Sequence, residues 1–347
     1  MSAALLQVSG LTVHYPVGAA GLFGRRRSVV HAVEQLSLSV AVGEIVALVG
    51  ESGCGKSTVA RTIAGVQRAS AGQVCFEGTD LTRLTGSALQ PYRRAIQLVH
   101  QDPYDSLDPR MTVRSIVEEG LRIHRVPRSD RDAVVRRALE RVGLTPAQWV
   151  LDRFPHELSG GQRQRVAIAA AVALTPRLLV ADEPVSMLDV SVRASVLNLI
   201  DDLRRDGLGV LFITHDLASA VVLADRIAVM YFGRIVEEGP ARQVLHRPAH
   251  PYTRALLSAM PSPDPSVRTR PDVVRGELPD ALHPPPGCAF RSRCPVARPD
   301  CAVQIPALST VAAGQQAACF VASALTPASA DSDGDGARPS VQPRITQ

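Results

Sequence analysis

Apolar residues along this chain fall into short, nearly uninterrupted runs, separated by stretches in which apolar positions recur with helical spacing. Each short run is rich in β-branched residues and predicts a strand; these runs cover residues 37–40, 44–49, 72–76, 178–181, 210–214 and 227–231. The intervening stretches predict helices, most clearly at residues 56–64, 131–142, 166–174 and 192–203. Continuous apolar strands that alternate with helices are typical of an α/β fold, in which a parallel sheet is covered on both faces.

The composition changes along the chain and indicates a domain order. Residues 1–260 carry the α/β pattern, and within them residues 102–158 are more polar and predict an inserted helical subdomain. Residues 261–286 are rich in proline and predict an extended linker. A short cysteine-bearing module follows at 287–324, and residues 325–347 have the composition of a disordered tail.

Charge and hydropathy exclude several classes of function. The net charge of +5 is spread over 347 residues without the dense basic stripe of a nucleic-acid-binding protein, so we expect no nucleic-acid partner. The longest purely apolar run, residues 166–174, is far shorter than the roughly 20 residues that span a membrane. The N-terminus lacks the basic and apolar regions of a secretory signal. We therefore expect a cytosolic chain that reaches a membrane only through a partner.

The segment GESGCGKS at residues 50–57, called the phosphate loop below, matches the pattern G-x-x-x-x-G-K-[ST] between a predicted strand and a predicted helix. Its glycines let successive backbone N–H groups face inward at a helix N-terminus, which forms a site for phosphate oxygens. Lys56, the only lysine among 38 basic residues, would contact the β- and γ-phosphates, and Ser57 would offer its hydroxyl to Mg²⁺. The predicted ATP contacts are Gly50, Glu51, Ser52, Gly53, Cys54, Gly55, Lys56, Ser57 and Thr58. This loop alone does not separate kinases, GTPases, recombinases and transport ATPases.

Two further motifs fit the chemistry of ATP hydrolysis. The predicted strand 178–181 runs into Asp182, placed to hold Mg²⁺ through water, and Glu183, placed to act as general base on the attacking water. The run LSGGQ at residues 158–162 forms a Ser-Gly-Gly turn that opens a helix, which is a second backbone site for an anion. One chain rarely needs two unrelated phosphate sites, so the second is predicted to complete the site of a neighbouring subunit. This turn also argues against a phosphate-loop kinase.

With these motifs in this order, residues 5 to about 250 resemble the ATP-binding cassette (ABC) ATPases. The family order also contains a glutamine after an apolar strand, Gln101, a Ser-x-Leu-Asp turn that ends at Asp189, and a histidine after a strand, His215. The resemblance implies an α/β P-loop NTPase fold with a RecA-like core, an inserted α-helical subdomain and a small cysteine-containing C-terminal module. It also implies ATP hydrolysis with ATP and Mg²⁺ as ligands.

The resemblance assigns roles to the matching residues. Gln101 and His215 would sense the γ-phosphate and join Glu183 in catalysis, with ordinary loop residues as the alternative. Tyr15 would stack on adenine, with a packed loop aromatic as the alternative. The residues that would contact ATP bound by the opposite subunit are Ser159, Gly160, Gly161, Gln162 and Asp189. The implied Mg²⁺ ligands are Ser57, Gln101 and Asp182.

Longer runs resemble one subfamily, the oligopeptide/dipeptide/nickel importer ATPases. They are VGESGCGKST at 49–58, QDPYDSLDPRMTV at 101–113, HPYTRALL at 250–257 and GCAFRSRCPVARPDC at 287–301. The likeness implies a peripheral subunit on the cytoplasmic side of the cell membrane, paired with an identical or different second ATPase subunit and with two transmembrane permeases. An extracytoplasmic substrate-binding protein would act indirectly. The implied cargo is a di- or oligopeptide, with nickel or glutathione as alternatives. A soluble ABC ATPase that acts on nucleic acid or ribosomes is an alternative of another class, disfavoured by the single cassette and mild charge.

Four of the six cysteines, Cys288, Cys294, Cys301 and Cys319, cluster in the C-terminal module. Disulfides are not expected in a cytosolic chain. The spacing C-x5-C-x6-C-x17-C is not a common zinc pattern, and by spacing alone metal binding and a fortuitous cluster are equal alternatives. The subfamily resemblance implies a [4Fe–4S] cluster on these four thiolates, and four thiolates also suit zinc.

Overall fold

A sheet of eight strands in the order β11-β12-β10-β9-β3-β8-β7-β6 forms the centre of the structure, and β9, β3, β8, β7 and β6 within it are parallel. This computed structural model describes residues 4–17, 28–102, 106–260 and 279–322. The strands are β1 Ala4–Val17, β2 Ser28–Ala41, β3 Ile45–Val49, β4 Ala71–Phe76, β5 Thr79–Asp80, β6 Ile96–Val99, β7 Leu178–Asp182, β8 Gly209–Thr214, β9 Arg226–Tyr231, β10 Arg234–Pro240, β11 Ser309–Ala312 and β12 Gln315–Ala317. The helices are α1 Lys56–Ile63, α2 Gln90–Ala95, α3 Val113–Ile123, α4 Arg128–Arg141, α5 Gly160–Val172, α6 Val190–Arg205, α7 Leu217–Leu223, α8 Ala241–His246 and α9 Pro251–Ser258.

The parallel core confirms four of the strands predicted from short apolar runs, which are β3, β7, β8 and β9, whereas β6 was not predicted. All residues of β3, β7 and β8 are buried, because helices or a second sheet cover both faces. Along β3 the side chains alternate between two apolar clusters: Ile45 and Val49 pack on one face, and Val46 and Leu48 on the other. Parallel pairing brings the carboxyl ends of β3, β7 and β8 to one edge of the sheet.

A second, antiparallel sheet in the order β2-β1-β4-β5 packs beside α1. In this sheet the sequence pattern predicted β4, at residues 72–76, and the end of β2, at residues 37–40, and it missed β1. Strands β1 and β2 pair irregularly, with shifts between Val8 and Leu11 and between Leu11 and Val13. Such bulges interrupt the period-two alternation on which a strand prediction depends.

The segment predicted as an inserted helical subdomain, residues 102–158, contains α3 and α4. Helices α3 and α4 and the start of α5 share an apolar core that includes Leu121, Val135 and Leu139. The helix predicted at 166–174 begins earlier, at Gly160, because Ser159 caps it and its first turns bury polar Arg163 and Gln164. No described helix is both long and apolar enough to cross a membrane.

The C-terminal segment that carries the four clustered cysteines also contributes two strands, β11 and β12, to the core sheet. Strand β12 pairs with β10 at Glu237–Ala317 and Glu238–Gln316, and β11 pairs with β12. Phe290 is buried in the main apolar cluster. Residues 287–322, called the C-terminal module below, therefore pack as part of the same body as the parallel core. The predicted disordered tail at 325–347 and residues 261–278 of the predicted linker lie outside the described residues.

Candidate functional site

The phosphate loop closes tightly between β3 and α1. A Cβ on Gly50 would lie 2.2 Å from the Met230 carbonyl oxygen, and a Cβ on Gly55, which has φ 109°, would lie 2.2 Å from the Ala32 carbonyl oxygen. Only glycine fits either position. Lys56 is 5% exposed, and its Nζ donates to the carbonyl oxygens of Gly50 at 2.8 Å and Glu51 at 2.9 Å. The ammonium is thus held inside the loop that sequence analysis predicts to bind phosphate.

A cavity of about 740 Å³ opens over this loop. Residues 50–58 all line it, which brings the predicted ATP contacts of this segment together. Gln101, Glu183 and His215 line the same cavity from the carboxyl edge of the parallel strands. This edge is where open α/β sheets bind their ligands.

Asp182 ends β7 directly beneath the loop and is 6% exposed. Burial raises the pKa of its carboxyl, while a hydrogen bond with Ser57 and the charge of Lys56 act in the opposite direction. Among the described residues, its Oδ1 has no hydrogen-bond partner. A buried, unpartnered carboxylate oxygen beside a serine hydroxyl has the chemistry of a Mg²⁺ site.

The Glu183 carboxylate contacts the other two predicted catalytic residues. Its Oε2 accepts a hydrogen bond from Gln101 Nε2 at 3.1 Å and lies 3.0 Å from His215 Nδ1. The backbone of Glu183 has φ 48°, in the left-handed region, and its N–H donates to the Ile213 carbonyl at 2.8 Å. The strained backbone and this bond to β8 aim the carboxylate at the cavity.

The LSGGQ turn lies apart from this cavity. Ser159 caps α5: its Oγ accepts from Gln162 N at 3.3 Å, and its own N–H donates to Gln162 Oε1 at 2.9 Å. A Cβ on Gly161 would lie 2.3 Å from Val192, so glycine is also needed for helix packing. Asp189 occupies the N-cap of α6 without a side-chain cap bond. None of residues 158–162 lines the cavity, so a contact with ATP from the opposite subunit stays a prediction.

Tyr15 sits at the edge of the same region. Its hydroxyl lies 3.5 Å from Thr58 Oγ1, and its half-buried ring packs against the apolar cluster beneath the antiparallel sheet. This position agrees with the alternative that Tyr15 is a packed loop aromatic. Stacking of Tyr15 on adenine stays a prediction.

Sequence reasoning missed the contacts that the C-terminal part of the chain makes with the phosphate loop. Tyr252 Oη accepts a hydrogen bond from Glu51 N at 2.9 Å, and Arg293 pairs with the Glu51 carboxylate. Both residues fall in runs that carried the subfamily likeness, but their spacing along the chain gives no sign of a contact with residue 51.

Comparison with known proteins agrees with this geometry. A family model described as "ABC transporter" matches residues 33–186, and one described as "Oligopeptide/dipeptide transporter, C-terminal region" matches residues 236–301. A putative peptide import ATP-binding protein of Brucella ovis is 46% identical over 318 residues, which cover 91% of this chain and 97% of the relative. The oligopeptide transport ATP-binding protein OppF of Salmonella typhimurium is 44% identical over 310 residues, 88% of this chain and 92% of that protein.

Solved structures are similar as well. A dimeric ATP-binding cassette in a post-hydrolysis state, bound to ADP and phosphate, matches with TM-score 0.60 and 28% identity over 68% of this chain and 99% of that one. The protein cbiO1 of Clostridium perfringens, part of the transporter complex cbiONQ, matches with TM-score 0.60 and 27% identity over 70% of this chain and 90% of that one.

The chain belongs to the ABC transporter ATP-binding proteins, and it is an ABC-type ATPase. The match to relatives continues through the C-terminal region. Within that class the chain therefore groups with the ATP-binding subunits of the oligopeptide/dipeptide importers. The resemblance and the fold class predicted from the sequence are confirmed.

Proposed function

We propose that this chain hydrolyses ATP to drive the uptake of di- or oligopeptides, as one of two ATPase subunits beneath two permeases. The observation that carries the hydrolytic part is the meeting of Gln101 and His215 at Glu183 Oε2 on the wall of the phosphate-loop cavity. The match of residues 236–301 to the oligopeptide/dipeptide transporter C-terminal region supports the peptide cargo over nickel or glutathione. The single cassette supports a transport role over one on nucleic acid.

The residues divide the chemistry among them. The backbone amides of residues 52–58 and Lys56 would hold the phosphates, so Lys56 would exchange its two carbonyl contacts for phosphate oxygens. Ser57, Asp182 and Gln101 would hold Mg²⁺, which neutralises phosphate charge when bound. Glu183 would accept the proton of the attacking water while Gln101 and His215 orient the water and the γ-phosphate.

We further propose that the full site needs a second ATPase subunit. Ser159, Gly160, Gly161, Gln162 and Asp189 lie away from this chain's own cavity, as expected of residues that cover the ATP of a partner. The dimeric form of the similar ATP-binding cassette supports a head-to-tail pair. Hydrolysis would remove the γ-phosphate contacts and let the pair open, which gives the transporter two states.

The remaining partners follow from the subfamily. The helical subdomain would dock on the two permeases at the cytoplasmic face of the cell membrane, and an extracytoplasmic binding protein would deliver the peptide. The similar cbiO1 comes from an assembled transporter complex, which supports this arrangement.

We also propose that the four clustered cysteines bind a [4Fe–4S] cluster. They are free, and all four line one small pocket beside Phe290. Burial raises the pKa of the Cys288, Cys294 and Cys319 thiols, and neighbouring cysteines of the set raise each pKa further. Four thiolates without a histidine suit zinc as well as iron. The resemblance of the cysteine run at 287–301 to the importer subfamily is the ground for preferring a [4Fe–4S] cluster.

Iron and sulfide analysis of anaerobically purified protein tests this cluster. The parent should carry about four irons per chain with visible thiolate-to-iron absorbance, Cys294→Ser should lose both, and Cys75→Ser, outside the set, should keep both. Protein that contains zinc or no metal would contradict the assignment.

Uptake in proteoliposomes tests the transport function. The chain is assembled with its partner ATPase, both permeases and the binding protein, and labelled peptide, nickel and glutathione are compared. We expect ATP-dependent peptide accumulation that Glu183→Gln abolishes. Uptake of nickel or glutathione without peptide uptake would refute the proposed cargo.

A further inference from the structure

Arg293 reaches from the C-terminal module into the phosphate loop. It ends the 3₁₀ turn Arg291–Arg293, immediately before Cys294. Its Nη1 donates to Glu51 Oε2 at 2.9 Å and its Nη2 to Glu51 Oε1 at 3.0 Å, which makes a bidentate ion pair between residues 242 positions apart. The Arg293 side chain is 8% exposed and that of Glu51 28%. A bidentate pair of this kind fixes both position and orientation.

The surroundings hold Glu51 from two sides. The Tyr231 hydroxyl accepts from Arg293 Nη1 at 3.4 Å, and the guanidinium lies 5.8 Å from the centre of the Tyr231 ring. Tyr252, whose hydroxyl accepts from the Glu51 backbone N–H, packs 4.7 Å from Tyr231 and 5.5 Å from Phe290, measured between ring centres. The side chain and the backbone of one loop residue are therefore both anchored to the C-terminal part of the fold.

Charge gives this contact a consequence for nucleotide binding. Glu51 lines the cavity that sequence and geometry assign to the phosphates. An unpaired carboxylate there would repel the triphosphate, and the repulsion is strong where water is partly excluded. Lys56 is the cation directed at the phosphates, so it is not available to neutralise Glu51. Arg293 supplies the missing positive charge from outside the loop.

We propose that Arg293 is a positioning residue that neutralises and fixes Glu51, so that the C-terminal module sets the affinity of the phosphate loop for ATP. The inference rests on the proposed assignment of the phosphate loop as the ATP site. Because Arg293 directly precedes Cys294, a change in the four-cysteine pocket would be transmitted to the loop through one peptide unit.

ATP binding to the full-length chain, measured by displacement of a fluorescent nucleotide, tests the proposal. Arg293→Ala should bind ATP about tenfold more weakly than the parent. Arg293→Lys should lie between them, because a single ammonium cannot make the bidentate contact. Arg298→Ala is the matched control: Arg298 lies in the same module, is 53% exposed and only approaches Asp300 at 3.8 Å. It should bind like the parent.

The double variant Arg293→Ala with Glu51→Gln separates charge neutralisation from a structural defect. Removing the unpaired carboxylate should restore ATP affinity at least about fivefold over Arg293→Ala alone. A double variant that binds as weakly as Arg293→Ala, or an Arg293→Ala protein within twofold of the parent, would overturn the proposal. Lys56→Ala tests the loop assignment separately: if it binds ATP like the parent, the proposed site itself is wrong, whereas its loss of binding beside an unaffected Arg293→Ala would refute only the role of Arg293.

Discussion

Glu237, at the centre of β10, joins three segments of the chain, and replacing it should detach the C-terminal module. The side chain is 0% exposed. Its Oε1 accepts from Ala249 N at 2.8 Å and from Gln315 Nε2 at 2.6 Å, and its Oε2 accepts from His250 N at 2.8 Å. The carboxylate thus connects β10 to the segment before α9 and to β12.

The cost of Glu237→Ala can be worked from these contacts. Three buried donors would lose their acceptor, and each unsatisfied buried donor costs about 1–3 kcal/mol. Partial entry of water lowers the sum, so we expect a loss of about 3–5 kcal/mol in the free energy of unfolding. Glu237→Gln keeps the length of the side chain and one acceptor oxygen, and it should cost about 1–2 kcal/mol. The neighbouring Glu238→Ala is the matched control, because Glu238 only approaches Arg226 at 3.7 Å and should cost less than about 1 kcal/mol.

Urea unfolding followed by far-ultraviolet circular dichroism measures the free energy of unfolding of the three variants. Hydrogen exchange shows which part of the structure is destabilised. The amides of Ala249 and His250 should be protected in the parent and exchange rapidly in Glu237→Ala. If Glu237→Ala costs less than about 1 kcal/mol and both amides stay protected, the carboxylate does not hold the module and the reasoning is refuted.

Three further substitutions test the site and its surroundings. Lys56→Arg keeps the charge, but a guanidinium does not fit a pocket in which Nζ contacts two carbonyls at 2.8 and 2.9 Å, so phosphate release should fall by more than about 100-fold. Glu183→Gln removes the proposed base; hydrolysis should fall by about 10²–10⁴-fold, with ATP still bound in a dimer detectable by size-exclusion chromatography. Burial lowers the pKa of His250 to about 3. The unfolded chain therefore takes up an additional proton as pH falls from about 6.5 towards 3, and the parent loses up to about 1.4 kcal/mol of stability per pH unit over that window. His250→Asn, which can still accept from Tyr252 N, should remove this part of the slope in urea midpoints measured against pH.

For each of these substitutions, one result would contradict the expectation. A Lys56→Arg protein that turns over at the parent rate would show that the pocket tolerates a planar cation. Parent-level hydrolysis by Glu183→Gln would remove Glu183 from its role as base. An unchanged pH slope in His250→Asn would mean that other groups account for the acid sensitivity.

Local pattern was sufficient for the parallel strands β3, β7, β8 and β9 and for the motif residues that follow them, but not for the half-buried edge strand β6. Strands such as β3 are apolar on both faces, so their sequence stands out without knowledge of their neighbours. Strand β1 pairs irregularly, and the first turns of α5 bury Arg163 and Gln164, so neither matched a simple period. The pairing of Glu51 with Arg293 and of β10 with β12 joins distant parts of the chain, and nothing in the local residue pattern encodes such contacts.

The pairing of β12 with β10 also bears on the solubility of the protein. Without β11 and β12, β10 would be an outer strand with a free row of backbone donors and acceptors, which is the usual starting point for edge-to-edge aggregation. The short β11, Ser309–Ala312, leaves a much shorter edge in its place. A chain cut near residue 260 would expose β10 and should associate through it, even though the parallel strands β3, β7 and β8 are intact. The C-terminal module thus covers an edge of the core sheet that could otherwise aggregate, in addition to contacting the phosphate loop.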